Sequence, residues 1–79
     1  MPERRQGPRH RVLQTGKIIF EHRRCVVDCT VRNLSNMGAL LRVQSTLGIP
    51  EHFDLSIAER ERRCVVTWKT DESLGIAFL

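Results

Sequence analysis

Residues 25–43 read CVVDCTVRNLSNMGALLRV, and this stretch decides the fold. In its first part, 25–31, apolar side chains occupy every second position, and the polar Asp28 and Thr30 fall between them. Successive residues of a strand point to opposite faces, so this period of two predicts a half-buried β-strand. The alternation resumes at 39–43 with alanine, leucine and valine inward. The polar residues between these two runs predict a turn.

The same period predicts four further strands along the chain. FDLSI (53–57) and RCVVTWK (63–69) alternate cleanly, whereas VLQTGKIIF (12–20) and LGIAFL (74–79) have a less clear parity, as in strands covered on both faces. Turn residues separate these runs at short intervals, and no segment has a helical period. Six short strands of this kind predict an all-β antiparallel barrel or sandwich.

The fifth predicted strand and the residues just before it lead to two further predictions. Trp68 shares its parity with Cys64 and Val66, which predicts that its indole is part of the core. The charged run ERER at 59–62 precedes this strand, and mixed charges between two strand patterns are typical of a solvated hairpin turn.

Composition restricts the function classes. With 79 residues the chain has room for one domain, and its net charge of +4 favours an anionic partner. Aromatic residues make up only 5% of the chain, which argues against a surface that stacks nucleic-acid bases. The start of the chain is charged, and no apolar run has membrane-spanning length, so we expect a cytoplasmic protein that does not bind membranes.

The three cysteines predict neither a disulfide nor a metal site. Cys25 and Cys29 are four positions apart on one strand, roughly 13 Å, which exceeds the reach of a disulfide. The spacing of these cysteines and His22 resembles no common zinc site. We therefore expect free thiols, mostly buried, and no metal.

Two polar motifs are candidates for ligand binding. The first is the basic run RRQGPRHR (4–11), in which Pro8 pushes the preceding residue towards an extended backbone. An extended arm lets Arg5 and Arg9 reach points up to about 13 Å apart, and each guanidinium forms two parallel hydrogen bonds with a phosphate or a guanine edge. The second is NLSNMG (33–38). By itself it is best explained as a simple turn in which Gly38 supplies a positive φ.

Together the motifs resemble those of the PilZ domain family, whose signature is R-x-x-x-R followed by D/N-x-S-x-x-G. The likeness extends to CTVR (29–32), VVTW (65–68) and LGIAF (74–78), and so covers nearly the whole chain. The resemblance implies a six-stranded antiparallel β-barrel that binds cyclic di-GMP. The implied contacts to its phosphates and guanines come from Arg5, Arg9, Asn33 and Ser35, with Gly38 shaping the turn. Arg4, His10 and Arg11 either add auxiliary contacts to the phosphates or are simply solvated charges.

The resemblance also implies how such a domain acts. Residues 1–11 would form a mobile basic arm and 12–79 the barrel, and ligand binding would order the arm and alter the surface presented to a downstream protein partner. No catalytic residue is expected, because no nucleophile–base arrangement or pair of carboxylates is evident. Many relatives continue into a C-terminal helix, which is not evident here. The barrel end left open predicts a monomer or a weak homodimer.

Two alternatives stay open at this point. One is a PilZ-like protein-interaction domain that does not bind the nucleotide. The other is a small basic barrel that binds nucleic acid through 4–11, a partner that the composition does not favour. The sequence does not decide the process regulated or whether one ligand molecule or a stacked pair is bound.

Overall fold

The computed structural model describes the backbone of residues 10–79 and the side chains of residues 14–79. Six antiparallel strands close into a barrel in the order β1-β2-β3-β6-β5-β4. The predicted six-stranded antiparallel barrel is therefore confirmed. The strands are β1 (His10–Phe20), β2 (Cys25–Leu34), β3 (Gly38–Arg42), β4 (His52–Ile57), β5 (Arg60–Lys69) and β6 (Ser73–Phe78).

The core is one layer of side chains to which all six strands contribute. Its most deeply buried members, each at most 1% exposed, are Ile18, Val31, Leu41, Phe53, Leu55, Cys64 and Leu74. Those in β2, β3, β4 and β5 occupy the inward positions that the period of two predicts. Because the interior is filled by these side chains, ligands have access only to the outer face and the barrel ends.

The hairpin turn between β4 and β5 is shorter than predicted. Ala58 and Glu59 have φ values of 51° and 68°, and two successive left-handed residues are typical of the tightest hairpin turns. The turn is complete after these two residues, so Arg60 pairs directly with Ile57 and already belongs to β5. The prediction of a turn over 59–62 is therefore wrong, and most of this charged run lies in a strand with exposed side chains.

The turn between β1 and β2 closes the opposite end of the barrel. Glu21, His22 and Arg23 have successive positive φ values of 54°, 56° and 69°, a conformation that costs free energy for residues with a Cβ. The Arg23 guanidinium donates two hydrogen bonds to the Glu61 carboxylate, of 2.9 and 2.8 Å, which join this turn to β5. The hydrogen bond from Arg23 lowers the pKa of Glu61. This bidentate pair is exposed to solvent, so it adds only modestly to the stability of the turn.

Trp68 does not lie in the core, contrary to the prediction. The pairing of β5 with β6 runs from Val66↔Ile76 to Trp68↔Gly75, so Thr67 is an extra residue in a β-bulge. A bulge shifts the alternation by one position, which turns the indole to the outer face. Trp68 is 49% exposed as a result.

Within the described part of the chain, no helix is long and apolar enough to cross a membrane.

Candidate functional site

The turn between β2 and β3 is organised by Ser35. Its N–H donates to the Gly38 carbonyl oxygen at 2.9 Å. Its hydroxyl oxygen accepts hydrogen bonds from the N–H groups of Met37 and Gly38, at 3.2 and 3.3 Å. The hydroxyl also donates to the Gly38 carbonyl oxygen, with a longer distance of 3.4 Å between the two oxygen atoms. The serine thus holds the turn with its acceptor capacity and keeps a weakly engaged donor.

Gly38 is required by a close approach of two backbones. It pairs with Ala77 at the start of β3, and a Cβ built on it would overlap the carbonyl oxygen of Ile76. The φ of Gly38 is not positive, so the alternative in which this glycine serves a left-handed turn is wrong. Only a residue without a side chain lets β3 and β6 pair at this point.

Asn33 lies on the outer face of the barrel because of a second bulge. The pairing of β2 with β3 runs from Val31↔Leu41 to Asn33↔Leu40, which leaves Arg32 as the extra residue. Leu41 is fully buried, so its neighbour Leu40 and the paired Asn33 point outward. Among residues 14–79, the half-buried Asn33 side chain has no hydrogen-bond partner.

A single row of paired residues connects Asn33 with Trp68 across four strands. Asn33 pairs with Leu40 and Leu40 with Gly75. Gly75 pairs in turn with Trp68. Three steps between neighbouring strands separate the ends of this row by roughly 14 Å. The two bulges bring an amide and an indole to the same outer face.

The row forms the floor of a shallow groove of about 390 Å³. Asn33 and Ser35 line it on one side, and Trp68 lines it on the other. The exposed part of the indole offers a flat apolar surface, while the amide offers a donor and an acceptor. Such a combination is suited to a planar, polar-edged ring such as a purine.

A second hollow of about 730 Å³ opens at the barrel end, next to the same turn, and shares Leu34 and Ser35 with the groove. The Arg62 guanidinium stacks on the Phe78 ring there, with 4.0 Å between Cζ and the ring centroid. Other side chains that line this end cleft are Leu55, Ile57, Arg60 and Glu61. An apolar floor with charged side chains at its rim is typical of a protein-binding surface.

The basic arm enters the barrel beside the groove. His10 and Arg11, assigned to the arm in the sequence analysis, belong to β1, where they pair with Leu34 and Asn33. The side chains of both residues lie outside the described set, as do Arg4, Arg5 and Arg9 entirely. Their predicted contacts with the ligand stay predictions.

Within residues 14–79 the titratable groups do not form a metal centre. Among the residues that the structure describes, no three His, Cys, Asp or Glu side chains lie together in a way that would hold a metal ion. Cys29 and Cys64 are free, buried thiols. Burial raises the pKa of Cys29 to about 11 and that of Cys64 to about 12, so both are protonated and unreactive at neutral pH.

Sequence reasoning missed the aromatic side of the groove. Parity predicts that Trp68 lies in the core, and Gly75 is not among the residues to which the sequence motifs point. One signal was available for the pair: a glycine inside an apolar strand pattern often marks a bulge or a close approach in its neighbourhood. The bulge itself has no recognisable signature in VVTWK (65–69).

A family model described as "PilZ domain" matches residues 3–79. A search of curated proteins found no match. The family match includes the basic arm, both polar motifs and all six strands, and the closed six-stranded barrel is the fold that the sequence resemblance implied. The PilZ family is one of cyclic di-GMP receptor domains, which are binding modules and not enzymes. The chain belongs to the PilZ domain family.

Proposed function

We propose that this protein is a receptor for cyclic di-GMP that uses the Asn33–Trp68 groove and the N-terminal arm together. The observation that carries the proposal is the outer-face row from Asn33 to Trp68, which lies beside the strand into which the arm runs. Polar recognition, an aromatic surface and a basic segment are thus available at one place. These are the chemical elements that a dinucleotide with two phosphates and two purines requires.

Asn33 would identify the base. A carboxamide presents one acceptor and two donors in a plane, and the guanine edge offers O6 as acceptor and the ring N1–H and the exocyclic N2 amino group as donors. Ser35 would add a hydrogen bond by redirecting its hydroxyl proton from the distant Gly38 carbonyl oxygen. The indole of Trp68 would stack on the face of a guanine, an interaction that contributes roughly 1–3 kcal/mol per base.

The arm would supply the phosphate contacts. Arg9 immediately precedes His10, whose Cα partner is Leu34. Arg5 is five residues from His10, and an extended chain of that length reaches at most about 17 Å, enough to cover the length of the groove. Guanidinium groups at Arg5 and Arg9 would form bidentate hydrogen bonds with the phosphates, with Arg4, His10 and Arg11 as secondary contacts.

Signalling would follow from closure of the arm over the groove. The protein would act without catalysis, by changing the surface that a downstream protein partner recognises. The end cleft shares Leu34 and Ser35 with the groove, so a closed arm would alter it directly. We propose the cytoplasm as its location, since the free thiols Cys29 and Cys64 fit a reducing compartment.

Calorimetric titration with cyclic di-GMP tests the proposal, with cyclic di-AMP as the comparison ligand. Adenine lacks the O6 acceptor of guanine, so we expect heat and saturation only with cyclic di-GMP. The absence of heat at high concentrations of cyclic di-GMP would refute the proposal. Equal binding of both ligands, or of any nucleic acid with a steep salt dependence, would show a general polyanion site instead.

The alternative function is a PilZ-like protein-interaction domain that does not bind the nucleotide. The end cleft favours it, because its volume of about 730 Å³ exceeds that of the groove and its lining combines apolar with charged side chains. In that case the Ser35 hydrogen bonds would serve the turn alone. A chain that binds no cyclic di-GMP but self-associates through this end, as detected by light scattering, would support the alternative.

A further inference from the structure

Gly75 is buried without being part of the core. It is paired with Trp68 across the β5–β6 ladder, and its position in the row places its missing side chain on the outer face. A Cβ built on Gly75 would overlap the Nε1 and Cε2 atoms of the indole and would lie 2.7 Å from Cδ1. The indole therefore occupies the space in which any other residue would place its side chain.

The bulge fixes this arrangement from the other strand. Thr67, the extra residue, donates a hydrogen bond from its hydroxyl to the Gly75 carbonyl oxygen at 3.1 Å. This bond ties the bulge to the residue that the indole covers. Without the bulge, Trp68 would follow the parity of Val66 and point to the core side.

We propose that Gly75 is a positioning residue for ligand recognition, which sets the height and tilt of the Trp68 indole in the groove. This inference rests on the proposed function, since it concerns how the aromatic side of that site is held. With Gly75 the ring packs over the bare backbone of β6, and its exposed part would be available to a purine. A methyl group at this position would push the ring into the groove. The displaced ring would then occupy the space that the purine needs.

Trp68 is the protein's one tryptophan, so its fluorescence reports on this contact without interference. The Gly75→Ala variant should show emission shifted to longer wavelength and stronger quenching by acrylamide, because the displaced ring is more exposed than its present 49%. Addition of cyclic di-GMP to the unmodified protein should quench the emission. The affinity of Gly75→Ala for cyclic di-GMP should fall about tenfold or more.

A double-mutant cycle separates positioning from a general effect on the sheet. In the Trp68→Ala background there is no ring to displace, so Gly75→Ala should cause no further loss of affinity. If Gly75→Ala is equally harmful in both backgrounds, the glycine acts through the backbone and the inference is wrong. Unchanged emission and affinity in Gly75→Ala would overturn it too.

The cycle also covers a folding failure. If Gly75→Ala alone does not fold, the Trp68→Ala/Gly75→Ala double variant should fold, because the indole atoms that overlap the new methyl group are gone. A double variant that is also unfolded contradicts the inference. Absence of binding by the unmodified protein refutes the proposed receptor function, whereas normal binding with no response of Trp68 refutes only the positioning role.

Discussion

Asn33 is the Cα partner of Arg11 in the β1–β2 ladder, although the two residues come from motifs far apart in sequence. The antiparallel pairing of β1 with β2 places the start of one strand beside the end of the other. The arm therefore enters the fold next to the amide proposed to recognise the base. A segment as short as the N-terminal arm can therefore reach the site without any rearrangement of the barrel.

Asn33→Ala should weaken cyclic di-GMP binding by about tenfold to a hundredfold, the usual cost of about 1–3 kcal/mol for a lost contact to a base edge. Thermal stability should be unchanged, since the amide has no partner among residues 14–79. Calorimetric titration measures the affinity for cyclic di-GMP, and thermal unfolding measures the stability. Asn36→Ala, in the same turn, is the matched control. A similar loss in both variants would point to the turn and not to base recognition.

Arg9→Ala should abolish measurable binding and leave the melting temperature unchanged. A guanidinium that contacts a phosphate through two hydrogen bonds contributes several charge-assisted interactions, while the arm carries few apolar side chains to bury. Arg24→Ala is the control, because this exposed arginine lies in the turn at the opposite end of the barrel. Unfolding of Arg9→Ala would show that the arm is structural.

Hydrogen exchange in residues 3–11 should slow when cyclic di-GMP is added. Closure of the arm over the groove would protect its amides, whereas the β1–β2 turn at 21–24 lies at the far end and should exchange at the same rate in both states. Mass spectrometry of peptic fragments measures both segments in one experiment. Equal exchange in 3–11 with and without ligand would contradict the ordering mechanism.

Gly38→Ala should destabilise the protein by about 2–3 kcal/mol, because the new methyl group overlaps the Ile76 carbonyl oxygen and forces β3 away from β6. Urea unfolding gives the free energy. Gly48→Ala is a useful comparison: its φ is +86°, but nothing lies within 4 Å of the added methyl group, so only about 1 kcal/mol of conformational strain is expected. Equal losses would mean that backbone strain, not overlap, explains both.

Stability should decline when the pH rises above about 9. The pKa of Cys64 is raised by burial from its ordinary value of 9.0 to about 12, so the folded state holds this proton more tightly than the unfolded state. The resulting stabilisation is complete below pH 9 and is lost as the pH approaches 12. Urea unfolding at several pH values measures it, and the decline should be smaller in Cys64→Ala. An identical decline in Cys64→Ala and in the unmodified protein would show that other titratable groups cause the loss of stability.

The strands were predictable because they depend on local signals, whereas Asn33 is singled out only together with the basic arm, through the family resemblance. A period of two reports on which face of a strand is buried, and the turn residues of NLSNMG mark where one strand ends. The tight turn at Ala58 and Glu59 was not predictable, because neither residue favours a positive φ. There the pairing of β4 with β5 imposes the conformation on the chain.

Trp68 shows why parity alone was insufficient. The alternation holds from Cys64 to Val66 and is then shifted by one extra residue, Thr67. Whether a strand accommodates such a residue depends on its neighbour, and here the neighbour provides Gly75, whose bare backbone leaves space for the indole. The information is present in the sequence, but in two strands that become adjacent only in the barrel.

The closed ladder has a consequence for any partner of this barrel. Each of the six described strands is paired on both sides over part of its length, so none is an open edge from end to end. Main-chain pairing with a partner is restricted to short segments such as residues 25–29, which pair with β1 but not with β3. A partner of the barrel would therefore bind mainly side chains, at the rim or on the outer face, where a handful of substitutions can redirect the choice of partner without disturbing the fold.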